Sequence, residues 1–160
     1  MNAQPRREHE WLQKLVGEWT YEAEALCEPG KPAERASGAE TVRSLGGLWV
    51  VAEGEGTMPG GGTGKTLLTL GFDPRTKRFV GTWIGSMMTH LWVYDGWLDD
   101  SQRVLTLEAE GPSFSAEGKM ARYRDVIELK SDDHRVLSSQ VLGDDGDWHG
   151  FMTANYHRKK

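Results

Sequence analysis

The stretch Thr66-Leu67-Leu68-Thr69-Leu70-Gly71-Phe72-Asp73-Pro74-Arg75-Thr76-Lys77-Arg78-Phe79-Val80-Gly81-Thr82-Trp83-Ile84 sets two β-rich runs on either side of a turn. Asp73 suits the first position of a type I turn and Pro74, with its fixed φ, the second. The same unit recurs along the chain. Strand candidates are Trp19 to Leu26, Ala39 to Leu45, Leu48 to Gly56, Thr66 to Phe72, Arg78 to Ile84, His90 to Leu98, Val104 to Glu110, Met120 to Lys130, Arg135 to Leu142 and Trp148 to His157. Between them lie Gly46-Gly47, Gly60-Gly61-Gly62, Asp99-Asp100-Ser101, Gly111-Pro112, Ser131-Asp132-Asp133 and Asp144-Asp145-Gly146. Most turn centres are too close together to leave room for a crossover helix, so successive strands are expected to pair antiparallel. A meander of about ten strands exposes two edges unless it closes, and closure into an up-and-down barrel removes them. Gly54, Gly56, Gly71, Gly81, Gly85 and Gly96 stand where strongly coiled barrel strands bend.

One segment has helical spacing. Between Arg6 and Val16, the residues Trp11, Leu12, Leu15 and Val16 share a face, and Gly17 ends the run. The expected architecture is therefore all-β: a single domain over 1–160, with a helix at about 6–16 closing one end of a barrel at about 18–158.

Composition excludes several classes. Glycine and proline together make 26 of 160 residues with no triplet period, short of the ~25–30% of low-complexity chains. No apolar run reaches the ~18–20 residues of a membrane helix, and the first ten residues contain no apolar signal core, so a cytoplasmic protein without membrane partners is expected. Cys27, the single cysteine, excludes an intramolecular disulfide and a cysteine zinc site. A net charge of −5 with interspersed signs argues against a nucleic-acid partner.

Gly17-Glu18-Trp19 and the closing Tyr156-His157-Arg158 resemble the calycin arrangement of lipocalins and fatty-acid-binding proteins. That resemblance implies a structural latch in which Arg158 packs over the Trp19 ring. A fuller similarity covers about Glu8 to Lys159. Leu48 to Glu53, Gly71-Phe72-Asp73, Phe79 to Met87, Asp95-Gly96, Tyr123-Arg124-Asp125 and Tyr156-His157-Arg158 resemble the domain-of-unknown-function family 1579. In that family's Trp-x-Asp-Ser-Met stretch this chain carries Gly85 in place of the acid.

The densest functional signal is Trp83 to Tyr94. On a strand His90, Trp92 and Tyr94 share one face and Leu91 and Val93 the other. If the first set faces inward, the barrel holds a pocket for an apolar ligand with one polar group. If the second does, the aromatics coat the outside or a homodimer interface. A filled core is the third option. The candidate ligand-binding residues are Glu53, Trp83, His90, Trp92, Tyr94, Arg124 and Met152, with His90 and Arg124 as polar anchors. The charges Glu53, Arg122, Arg124 and Glu128 lie within strands, where ordinary outward polarity competes with a role inside.

Pro59 to Thr66 ends in the Gly-Lys-Thr of a phosphate loop. Pro59 replaces the first glycine, however, and a strand follows instead of a helix, so a hairpin loop is expected. The five histidines lack ligand spacing. His149 and His157 lie eight strand residues apart, more than about 20 Å, so no metal is expected. The haem-binding calycins called nitrobindins carry a Gly-x-Trp-x-Gly-x-Gly repeat that is absent after Trp19; haem on one axial histidine is the alternative to having no cofactor. There is no Gly-x-Ser-x-Gly elbow and no set nucleophile and base. The leading expectation is a non-catalytic binder of a small apolar or amphipathic molecule. The alternatives are an enzyme using His90 or Glu53 for proton transfer, and a homo-oligomer with a filled barrel.

Overall fold

A computed structural model describes residues 3–26 and 30–160, which leaves Cys27 outside the described residues. The helix α1 (Arg7–Gln13) is followed by β1 (Gly17–Ala25), β2 (Glu34–Leu45), β3 (Trp49–Thr57), β4 (Thr63–Asp73) and β5 (Arg78–Gly85). The order continues with β6 (Trp92–Leu98), β7 (Val104–Pro112), β8 (Met120–Ser131), β9 (His134–Leu142) and β10 (Trp148–Arg158). Each strand pairs antiparallel with its sequence neighbours, and β1 pairs with both β2 and β10, so the ten strands form a closed barrel. The hairpin around Asp73-Pro74 is β4–β5. The Asp73 carboxylate accepts the Arg75 N–H at 2.9 Å, and Lys77 takes a left-handed φ of 58° to re-enter the ladder.

Several elements differ in extent from the sequence reading, among them β7, which runs through the Gly111-Pro112 expected as a turn. The α-helix stops at Gln13, and i→i+3 bonds from Leu15 and Val16 tighten the next turn, so the helical spacing holds to Val16 in another geometry. Strand β2 begins at Glu34, five residues before the expected Ala39, in a stretch where Ala36 and Gly38 give little strand signal. Strand β6 begins at Trp92, leaving His90 in the preceding loop.

The two ends of the barrel differ. At one, tight turns such as Gly46-Gly47 and Asp73–Lys77 meet the helix, whose Trp11 and Leu12 are buried with Leu15, Trp19, Val50, Leu70 and Phe79. Full burial of such a side chain contributes roughly 1.5–3 kcal/mol. Directed bonds fix the plug in place: Trp11 Nε1 donates to the Gln102 carbonyl at 2.6 Å, and the His9 ring meets the Phe72 carbonyl at 3.0 Å. Arg158 then clasps the seam. Its guanidinium lies 4.2 Å from the Trp19 ring centroid and donates to the carbonyls of Val16, Lys14 and Asp132 at 2.6, 3.0 and 3.1 Å. At the other end the connections are longer, and no helix among the described residues covers them.

Candidate functional site

The strand period of two sorts the lumen. On β6, Trp92 and Tyr94 are buried inside the barrel while Val93, and Leu91 just before the strand, are exposed, so the first set faces inward. Trp83 on β5 stands in register with Trp92. From β8 come Tyr123, Asp125 and Ile127, from β9 Arg135, Leu137 and Ser139, and from β10 Met152, Ala154 and Tyr156. A bulge between Gly150 and Met152 breaks the alternation, so the consecutive residues Phe151 and Met152 both reach the lumen. Together these side chains enclose a cavity of about 320 Å³ between the plug and the open end. A filled barrel would leave no such space.

The wall near the mouth is apolar and soft. Met58, Met87, Met88 and Met152 line it with Trp83, Trp92, Phe114 and Phe151. Thioethers are flexible and polarizable, so this sleeve adapts its shape to a guest. Trp92 is held by its neighbours: its indole N–H donates to the Met88 sulfur at 3.0 Å, its ring meets Tyr123 edge-on at 5.0 Å, and it lies over Gly111. A Cβ at Gly111 would come within 2.1 Å of that ring.

The floor is polar. Glu40 and Arg135, both buried, form an ion pair across the lumen from β2 to β9. The Arg135 guanidinium also lies 4.0 Å from the Tyr156 ring centroid and 4.7 Å from that of Trp19. Beside this pair, the Asp125 carboxylate accepts the Ser139 hydroxyl at 2.6 Å and the Tyr94 hydroxyl in a short bond. Burial raises the Asp125 pKa, and the two donated hydrogen bonds only partly offset it. The Tyr94 phenol is held well above its usual value, first by burial and then by the neighbouring Asp125 charge. Burial and the Glu40 charge raise Tyr21 and Tyr156 in the same direction.

Of the sequence-derived ligand residues, Trp83, Trp92, Tyr94 and Met152 line the cavity and Glu53, His90 and Arg124 do not. Glu53 is exposed on the outer face of β3, paired with Arg43 at 2.8 Å. Arg124 has the opposite parity to Asp125, so it points outward, binds Glu108 at 2.8 Å and packs over Trp148 at 4.0 Å. His90 sits in the β5–β6 loop, edge-on to Trp92 at 4.9 Å, with its ring nitrogen on the Glu110 carbonyl at 2.9 Å. The two groups considered for proton transfer, His90 and Glu53, thus both lie outside the cavity lining. Among the described residues no histidine lines the cavity, so the haem alternative lacks its axial imidazole. Sequence reasoning missed the polar floor. Its signal is a charge at the inward alternation, as in Tyr123-x-Asp125-x-Ile127, whereas Arg122, Arg124 and Glu128 belong to the outward set.

At the open end, the hairpin reading of Pro59 to Thr66 matches the structure. Met58 and Gly62 are joined by a backbone bond of 3.0 Å, and Gly60, Gly61 and Gly62 all have positive φ in the β3–β4 loop. Among the described residues no helix is long and apolar enough to cross a membrane, and no three His, Cys, Asp or Glu side chains cluster to hold a metal.

No curated protein matches the chain. Among solved structures it is similar to Rv2717c from M. tuberculosis, at 13% identity and a TM-score of 0.67, covering 98% of this chain and 100% of that one. It is also similar to EF1p2_mFAP2b, solved bound to DFHBI, at 12% identity and a TM-score of 0.52 over 94% of this chain and 98% of the other. A third is a de novo designed fluorescence-activating β-barrel, at 10% identity and a TM-score of 0.51 over 92% of this chain and 96% of that design. These likenesses show the fold. A family model matches residues 4–158, nearly the whole chain, and the protein belongs to the family described as "Protein of unknown function (DUF1579)".

Proposed function

We propose that the protein is a non-catalytic binder of one small apolar or amphipathic molecule in the barrel lumen. The observation that carries this reading is the cavity of about 320 Å³ with an indole and thioether sleeve above a polar floor. That size lies at the small end of the ~300–1,000 Å³ of ligand pockets, and apolar walls with a few convergent polar groups are their usual lining. EF1p2_mFAP2b, a barrel of this fold, is solved bound to DFHBI, which supports small-molecule binding by such a barrel. Trp83 and Trp92 would stack the apolar body and the floor would fix its polar end.

Tryptophan emission tests the reading. Titration with a compact aromatic such as naphthalene should quench emission saturably with one site per chain. Ala154→Phe, which grows a buried lumen residue into the cavity, should abolish the response while the barrel stays folded. Unsaturable quenching, or equal quenching in Ala154→Phe, would place the probe elsewhere and overturn the proposal.

A further inference from the structure

The lumen holds three charged side chains, Glu40, Asp125 and Arg135. Its single cation is already engaged. One Arg135 nitrogen is bonded to Glu40, and the guanidinium lies against the Trp19 and Tyr156 rings. Arg135 Nε has no hydrogen-bond partner, yet it is fully enclosed and presents no surface to the cavity, so a ligand acceptor does not reach it. Asp125 differs from both partners of that pair. It is half-buried and lines the cavity, so its accessible surface faces the lumen.

Donor and acceptor counting then decides the chemistry. The Ser139 and Tyr94 hydroxyls each donate their hydrogen bond to Asp125, one to each oxygen. A carboxylate oxygen has room for two donors, so each Asp125 oxygen keeps one acceptor site, and the two hydroxyls turn only lone pairs to the cavity. Tyr21 and Tyr156 carry hydroxyls that either donate or accept, so they do not discriminate. With its cation neutralised, the floor carries an excess of one carboxyl. A ligand anion there would face a net negative charge in a low-dielectric site.

Resting on the lumen-binding reading above, we propose that the site selects ligands whose polar end donates hydrogen bonds, with an ammonium favoured over a hydroxyl, and rejects carboxylates. Asp125 is the residue that reads this end, and the apolar sleeve takes an aryl or alkyl body.

Three probes that share one body test it: 4-phenylbutylamine, 4-phenylbutanol and 4-phenylbutanoate, measured by calorimetry at neutral pH. The ammonium should bind about tenfold or more tighter than the carboxylate, about 1.4 kcal/mol or more, with the alcohol between them. In Asp125→Asn the ammonium-to-alcohol ratio should collapse to within about threefold. A carboxylate that binds as tightly as the ammonium overturns the inference, as does an unchanged ratio in Asp125→Asn. If that variant does not fold, the wild-type rank order alone decides. Three equal affinities, all lost in Ala154→Phe, would leave the lumen-binding reading standing and remove this one. No binding by any probe would remove both.

Discussion

Replacing Arg135 with methionine would leave the buried Glu40 carboxylate without its counter-charge. Arg135 and Glu40 are 3% and 8% exposed, so bulk water does not screen the loss. Removing one partner of a buried pair costs about 3–5 kcal/mol, against a total stability of about 5–15 kcal/mol for a domain. For a chain of this length that corresponds to a fall in Tm of about 6–20 °C. The methionine keeps an apolar stem against the Trp19 and Tyr156 rings, so most of the loss is electrostatic. Glu40→Leu combined with Arg135→Met removes both charges and should recover most of the stability, since apolar replacement of a buried pair is often neutral or stabilising. Urea unfolding of the four species gives the coupling energy directly, with comparable m-values as the check on two-state behaviour. A loss below about 1 kcal/mol in Arg135→Met, with no recovery in the double variant, would refute the reasoning: it would mean that lumen water solvates the pair.

Arg158→Gln should cost about 1–3 kcal/mol in urea unfolding, since it removes carbonyl bonds and the stacking over Trp19; a neutral effect would contradict the latch. Gly111→Val should drive Trp92 off its seat, visible as a shift in tryptophan emission and weaker probe binding, whereas unchanged emission would contradict the packing. The Asp125 carboxyl has a folded pKa raised above its unfolded value, so the stability it contributes is present below the unfolded pKa and lost as pH rises through the folded one. Asp125→Asn, which does not titrate, should therefore gain stability relative to wild type from pH 4 to pH 8, and a relative loss would contradict that burial. Glu53→Gln, on the outer face, should leave probe affinity within about twofold, and a larger loss would contradict its placement.

The barrel was legible because its signals are local. Strand period, the Asp73-Pro74 turn and the Gly60-Gly61-Gly62 hairpin each act within a few residues, and closure follows from the absence of any other cover for the edges. The site was legible only where the sequence signal was aromatic. Trp83, Trp92, Tyr94 and Met152 were singled out for their chemistry and line the cavity, yet parity on β8 separates Arg124 from Asp125 by one residue and sends them to opposite faces. A one-residue shift inverts every inward assignment on a strand, and bulges such as that at Gly150–Met152 shift it without a clear sequence mark. The Glu40–Arg135 pair joins residues 95 positions apart, so no local pattern announces it.

The central claim is that a small molecule enters the lumen, and methionine methyl spectra test it most directly. Four of the six methionines, Met58, Met87, Met88 and Met152, line the cavity, while Met120 is exposed at the start of β8 outside it. With the methyls labelled, titration of 4-phenylbutylamine should shift the four lumen signals saturably and together, and leave Met120 in place. Movement of Met120 alone, or no saturable movement of the four, would contradict the account.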